Sequence, residues 1–179
     1  MVSDRYRTLG RRCAVGALLA VTLGLIVFQQ EYRHAEAVLA AHIFSGTAAY
    51  ASPHAAVVWF PGIKGAFGLE ITPECSSALL IAPFTFLGAA MLWRRRLPAG
   101  RVALAVTIAA VLLLLGNQAR VGLIAALIYS IGLKNGYELG HLVLGSLLSI
   151  TFIAISVAIL VAVTTTGRSD HRGVVTADA

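Results

Sequence analysis

The chain has 179 residues, 58% of them from the apolar set AVILMFWYC and only 12% charged. Soluble domains carry about 25% charged residues, so this composition argues against a water-soluble enzyme, and it excludes an intrinsically disordered chain. The formal charge of +6 is clustered beside apolar runs, with four arginines in residues 1–12 and four in 94–101. No basic stripe is interleaved with aromatics as a nucleic-acid face requires, so no nucleic-acid partner is expected. The expected class is an all-α integral membrane protein whose main partner is the lipid bilayer.

In chain order, residues 1–12 read as a basic cytoplasmic N-terminus and residues 13–28 as the first apolar run. Its charged start fits a secretory signal, but no small-x-small cleavage site precedes Gln29-Gln30-Glu31, so a retained anchor is expected. Residues 31–51 have helical character with an alanine-rich face, which predicts an outer amphipathic helix on the membrane surface. Two short strands, 55–60 and 66–71, are expected around a glycine-rich turn. The glycines at 62, 65 and 68 match neither a dinucleotide nor a phosphate-loop fingerprint and read as turn residues.

Further apolar runs cover 76–93, 102–119 and 141–163. At 1.5 Å per residue the first of these spans roughly 27 Å and the last roughly 34 Å, enough for a hydrocarbon core of about 30 Å. About four transmembrane helices are therefore expected. The stretch 121–133 is short for a span and suits a re-entrant or interfacial helix, or an extension of the run before it.

With the N-terminus inside and four spans alternating, ten basic residues fall inside: Arg5, Arg7, Arg11, Arg12, Arg94, Arg95, Arg96, Arg101, Arg168 and Arg172. Four fall outside, namely Arg33, Lys64, Arg120 and Lys134. The positive-inside rule then places both termini in the cytoplasm of a multi-pass cell-membrane protein. Residues 13–163 form one membrane-embedded domain, and 164–179 a polar, disordered cytoplasmic tail.

Three residues carry chemistry. Cys75 sits in Thr72-Pro73-Glu74-Cys75 at the outer end of the second run; Thr72 suits an N-cap and Pro73 a first helical position. That predicts Cys75 at the third position of the spanning helix, where free backbone N–H groups can stabilise a thiolate or an oxyanion. Cys13 lies about a membrane thickness away, cannot pair with it, and reads as a small apolar residue. Arg120 is a cation within apolar sequence, which costs about 2.5–3.5 kcal/mol at a bilayer centre unless it faces protein or water. Asn117, three residues earlier on the same helical face, is placed to orient it.

His141 opens the fourth run in Gly140-His141-Leu142-Val143-Leu144-Gly145. His34, His42, His54 and His171 have no metal-ligand spacing, and no metal or cofactor is expected. The assumed topology puts Cys75, Arg120 and His141 on the outer face. A nucleophilic thiol, a base and a fixed cation are the groups acyl transfer needs.

In Glu74-Cys75-Ser76-Ser77, Asn117-Gln118-Ala119-Arg120-Val121 and Gly140-His141-Leu142-Val143-Leu144-Gly145, the chain resembles the exosortase/archaeosortase family of membrane-embedded cysteine transpeptidases. The resemblance lies in the order Cys, Arg, His and covers residues 55–163. Ser77 stands where many members carry glycine, and the few spans suit a compact member. The resemblance implies cleavage of a C-terminal sorting signal, made of a short motif, a transmembrane helix and a basic end, and transfer of the exported protein to a cell-surface acceptor. It implies Cys75 as nucleophile, His141 as proton carrier and Arg120 as oxyanion partner, with Asn117 in support. A noncatalytic membrane subunit and an intramembrane hydrolase remain as alternatives.

Overall fold

A computed structural model describes residues 2–62, 65–94 and 97–165. The expectations attached to Lys64, Arg95, Arg96 and the tail 166–179, including Arg168, His171 and Arg172, lie outside the described residues. The helices are α1 (Val2–Val27), α2 (Gln29–Ile43), α3 (Ser77–Trp93), α4 (Ala99–Ile131), α5 (Leu133–Glu138) and α6 (Gly145–Thr165). A π-helical segment, Leu139–Leu144, joins α5 to α6. Between α2 and α3 lie β1 (Tyr50–Ala51), β2 (Val57–Phe60), β3 (Phe67–Glu70) and a 3-10 turn, Pro73–Cys75.

Three helical runs are long and apolar enough to cross a membrane by length and composition: Leu9–Val27, Ala99–Ile131 and Leu133–Thr165. The shorter apolar helix α3 has 17 residues. Helix α1 packs on α3, α3 on α4, and α4 on α6. Small residues make these approaches close, as is usual where lipid provides no hydrophobic drive between helices. Ala105 and Ala109 of α4 are fully buried. A Cβ at Gly88 would lie 2.7 Å from a Val106 methyl, and one at Gly116 would lie 2.6 Å from the Phe152 ring.

Two apolar cores result. One joins Val15, Ile81, Phe84, Leu92, Val102, Val106, Leu113 and Leu160 along the helices. The other joins Ala37 and Ala40 of α2, Val58 and Phe60 of β2, Leu69 of β3, and Val121, Ile124 and Ile128 of α4. A buried polar layer of Glu36, Ser76, Ser77, Asn117 and Gln118 includes the residues that link α2, α3 and α4.

Several expectations change here. Of the readings open for 121–133, the extension holds as far as Ile131, where α4 ends, and Leu133 opens α5. At 33 residues α4 is about 50 Å long, longer than a hydrocarbon core, so its last turns serve as the floor of the second core. The alanine-rich helix ends at Ile43, and its Ala37, Ala40 and Ala41 face is buried against the sheet and α4, so it packs on protein. Apolar area near an available β-sheet is buried there first, because the sheet needs one face covered.

The two expected strands form, antiparallel, with Val58 opposite Leu69 and Phe60 opposite Phe67. A third strand, β1, adds to them where helix was expected, pairing Tyr50 with Trp59. The turn that frees it is at Ala48, whose φ of 57° closes the 3-10 turn Ser45–Thr47. The polar tail starts later than residue 164, since α6 continues through Thr165.

Candidate active site

Cys75 is delivered by a broken helix start. Thr72 is extended, Pro73 opens the 3-10 turn, and Ser76 returns to an extended conformation at φ −88° and ψ 141°. Helix α3 then begins afresh at Ser77, with the Ser76 hydroxyl accepting from the Ala78 amide at 3.2 Å. Cys75 is thus the last residue of a turn and not the third residue of the spanning helix. The backbone donors expected to serve it are spent elsewhere: Cys75 N–H donates to Thr72, Ser76 N–H to Pro73, and Ser77 N–H to the Glu36 carboxylate. An anion at Cys75 has to find its donors among side chains.

Glu74 faces solvent beside this turn. Its own backbone N–H and the Thr72 hydroxyl hold its carboxyl below the usual range, and the Arg33 charge adds to this. Arg33 is anchored by donating to the Ile71 carbonyl at 3.1 Å. On the other flank Tyr32 bonds the Ser77 hydroxyl at 2.9 Å. Burial pushes the Tyr32 phenol up, against the opposing effect of that bond.

Arg120 comes from two thirds of the way along α4, 21 residues beyond Ala99, or about 32 Å along the helix. Its Nη2 lies 3.4 Å from His141 Nδ1 and 3.4 Å from the His141 carbonyl oxygen. A guanidinium can only donate, so Nδ1 is the acceptor and the ring proton sits on Nε2. Glycine makes this approach possible: a Cβ at Gly145 would lie 2.7 Å from Arg120 Nε and 2.5 Å from the Gly140 carbonyl oxygen. Gly136 and Gly140 do the same for the backbone, since a Cβ at Gly136 would meet the Ile128 main chain at 2.6 Å.

His141 therefore rides on a π-helical segment pressed against α4, and its ring is stacked on Tyr137 with centroids 5.1 Å apart and planes 6° from parallel. Its Nδ1 lies 3.8 Å from Cys75 Sγ. Cys75, Arg120 and His141 line one cleft together with Tyr137 and the end of β3, Leu69 to Ile71, with an interior space of about 30 Å³. A larger cavity of about 230 Å³, among Arg11, Arg12, Val15 and Trp93 at the opposite ends of α1 and α3, contains no nucleophile or base. Among the described residues no three metal-ligating side chains group together.

Asn117 lines the cleft but does not bond Arg120. Its Nδ2 donates to Glu36 Oε1, a buried acceptor, at 2.9 Å. Glu36 also accepts from Ser76 Oγ at 2.6 Å and from Ser77 N–H at 3.1 Å. This carboxylate escaped the sequence reading, although a signal was there: Glu36, Ala37, Ala40 and Ala41 recur at helical spacing, which puts the charge on the buried face. No family model, no curated protein and no solved structure matches this chain.

Proposed function

We propose that the protein is a membrane-embedded cysteine peptidase and transpeptidase of the exosortase-like kind. It cleaves a C-terminal sorting signal and passes the exported protein to a cell-surface acceptor. The observation that carries this reading is the convergence of Cys75, His141 and Arg120 on one cleft from three separate segments, with sulfur and imidazole 3.8 Å apart. Proximity of this order lets a neutral imidazole activate a thiol.

In the first half-reaction Arg120 Nη2 turns from His141 Nδ1 to the scissile carbonyl, the Cys75 thiol gives its proton to the freed Nδ1, and the sulfur attacks that carbonyl. Arg120 Nη2 then donates to the oxyanion, a role that the occupied backbone amides leave to a side chain. The C–N bond then breaks, the leaving amine takes the proton from His141, and a thioester remains. In the second half an acceptor amine or hydroxyl gives its proton to His141 and attacks the thioester, and the Cys75 thiol is regenerated. With four spans, α3 being the short one, and both termini inside, the cleft lies at the outer face.

The test is processing of a protein ending in a motif, an apolar helix and an arginine tail, co-expressed with each variant at matched membrane abundance. Cys75→Ala should abolish processing. His141→Ala should slow it by about 10²–10⁴-fold, the usual worth of positioned proton transfer. Arg120→Lys should lose most activity, since lysine keeps the charge and loses the planar fork of donors. Normal processing by Cys75→Ala would overturn the enzyme reading in favour of a noncatalytic subunit. A product bearing a free carboxylate and no acceptor would make it a hydrolase.

A further inference from the structure

The sheet presents an open edge at the cleft. Strand β3 pairs with β2 on one side only. Val58 stands opposite Leu69 and Val57 opposite Glu70, and the Ile71 N–H donates to the Ala56 carbonyl at 2.7 Å. Antiparallel hydrogen bonding falls on alternate pairs, so Leu69 and Ile71 bond towards β2 and the N–H and C=O of Gly68 and Glu70 point away from it. Among the described residues nothing takes up those groups.

Proteins usually guard such an edge with lysine, proline, a bulge or a covering segment. Here both Gly68 and Glu70 are exposed, and a Cβ at Gly68 would point at Val57 and Trp59 of β2 and not along the open edge. The same strand runs directly into the cleft: Leu69, Glu70 and Ile71 line it with Cys75 and His141.

We propose that the open edge of β3 is a peptide-binding subsite, where an extended substrate segment adds as a further strand along Gly68 and Glu70 and enters the cleft with its scissile carbonyl at Cys75. This rests on the acyl-transfer reading and deepens it. Main-chain pairing holds the peptide extended and leaves its alternate side chains free, so affinity comes from the backbone and motif preference from the walls of the cleft. A four-residue strand offers an edge only about 13 Å long, too short to bury the roughly 1,200 Å² that a stable protein pair needs. A transient peptide fits it better than a second copy of the chain.

The experiment uses the full-length protein in detergent, on a Cys13→Ser background so that alkylation reports Cys75 alone. Iodoacetamide and a capped tetra-alanine chloromethyl ketone are compared by intact mass; in each case the sulfur displaces halide and forms a thioether. Glu70→Pro removes an outward N–H, a change edge strands tolerate. It should slow the peptide reagent about tenfold more than it slows iodoacetamide on the same variant, the worth of one or two hydrogen bonds. N-methylating one alternate set of amides in the reagent should slow it equally on the protein without the proline. Methylating the other set should change little.

A peptide rate indifferent both to Glu70→Pro and to N-methylation overturns the pairing and leaves acyl transfer standing. A Cys75 that neither reagent modifies sinks both. Light scattering that shows a dimer lost on Glu70→Pro would assign the edge to a second copy and overturn the peptide proposal.

Discussion

Glu36 accepts hydrogen bonds from the Ser76 hydroxyl, the Ser77 amide and the Asn117 side chain, which ties α2, the start of α3 and α4 to one buried carboxylate. Cys75 is the residue before that knot, so Glu36 sets where the thiol points without touching it. Glu36→Ala would leave three buried donors without an acceptor and should cost about 3 kcal/mol. Glu36→Gln keeps an oxygen for Ser77 and Asn117, and the Ser76 hydroxyl can turn to accept from the new amide, so its cost should be about 1 kcal/mol. Thermal unfolding in detergent, followed by loss of helical signal, checks this; equal midpoints for the two variants would remove Glu36 from the role. Cys75, Arg120 and His141 were legible as single residues because each interrupts apolar sequence. Glu36 was not, because its alanine-rich helix suits a membrane surface equally well, where a glutamate needs no partner.

At the scale of elements, the short path from α5 through the π-helical segment to α6 decides where His141 goes. Its glycines at 136, 140 and 145 let main chain and Arg120 pass at distances that any side chain would block. Gly145→Ala should therefore displace both Arg120 and the π-helical turn that carries His141, since its Cβ would meet the Gly140 carbonyl oxygen at 2.5 Å as well as Arg120 Nε at 2.7 Å. The expected result is processing reduced about as far as in Arg120→Lys, with a loss of stability of about 1–3 kcal/mol from overpacking. Gly88→Ala is the matched control, a close contact with Val106 far from the cleft. If both alanine variants process substrate equally well, the glycine argument fails. None of this was visible in the glycine spacing, which is silent about what lies opposite each residue in space. The break at Ser76 was hidden likewise: Thr72-Pro73 does open a helical turn, but Glu36 competes for the Ser77 amide and restarts the helix there.

Over the whole molecule, Arg11, Arg12 and Trp93 meet at one end of the helices and Cys75, Arg120 and His141 at the other. Arg11 and Arg12 of α1, and Arg94 and Arg101 at the facing ends of α3 and α4, thus share the end opposite the cleft. Positive charge stays cytoplasmic, so the cleft should face out. A membrane-impermeant maleimide applied to intact cells should label Cys75 and spare Cys13, and the label should vanish in Cys75→Ala. Reporter fusions after Arg96 and after Arg172 should both read cytoplasmic. Labelling of Cys13 alone would invert the orientation, and an external reporter after Arg172 would require an odd number of spans.

Local sequence by itself determined the membrane class, the apolar helices, the β2–β3 pair and the three polar residues that the fold then gathers in one cleft. Those follow from composition, from run length and from the cost of polar groups among apolar neighbours, all of which are properties of short stretches of chain. Only the tertiary structure decided that 121–131 extends α4, that α2 turns its alanines inward, that Asn117 serves Glu36, and that the backbone amides at Cys75 are already taken. Each of these is a competition between partners remote in sequence, and a hydrogen-bond donor or an apolar face goes to whichever partner the fold brings near.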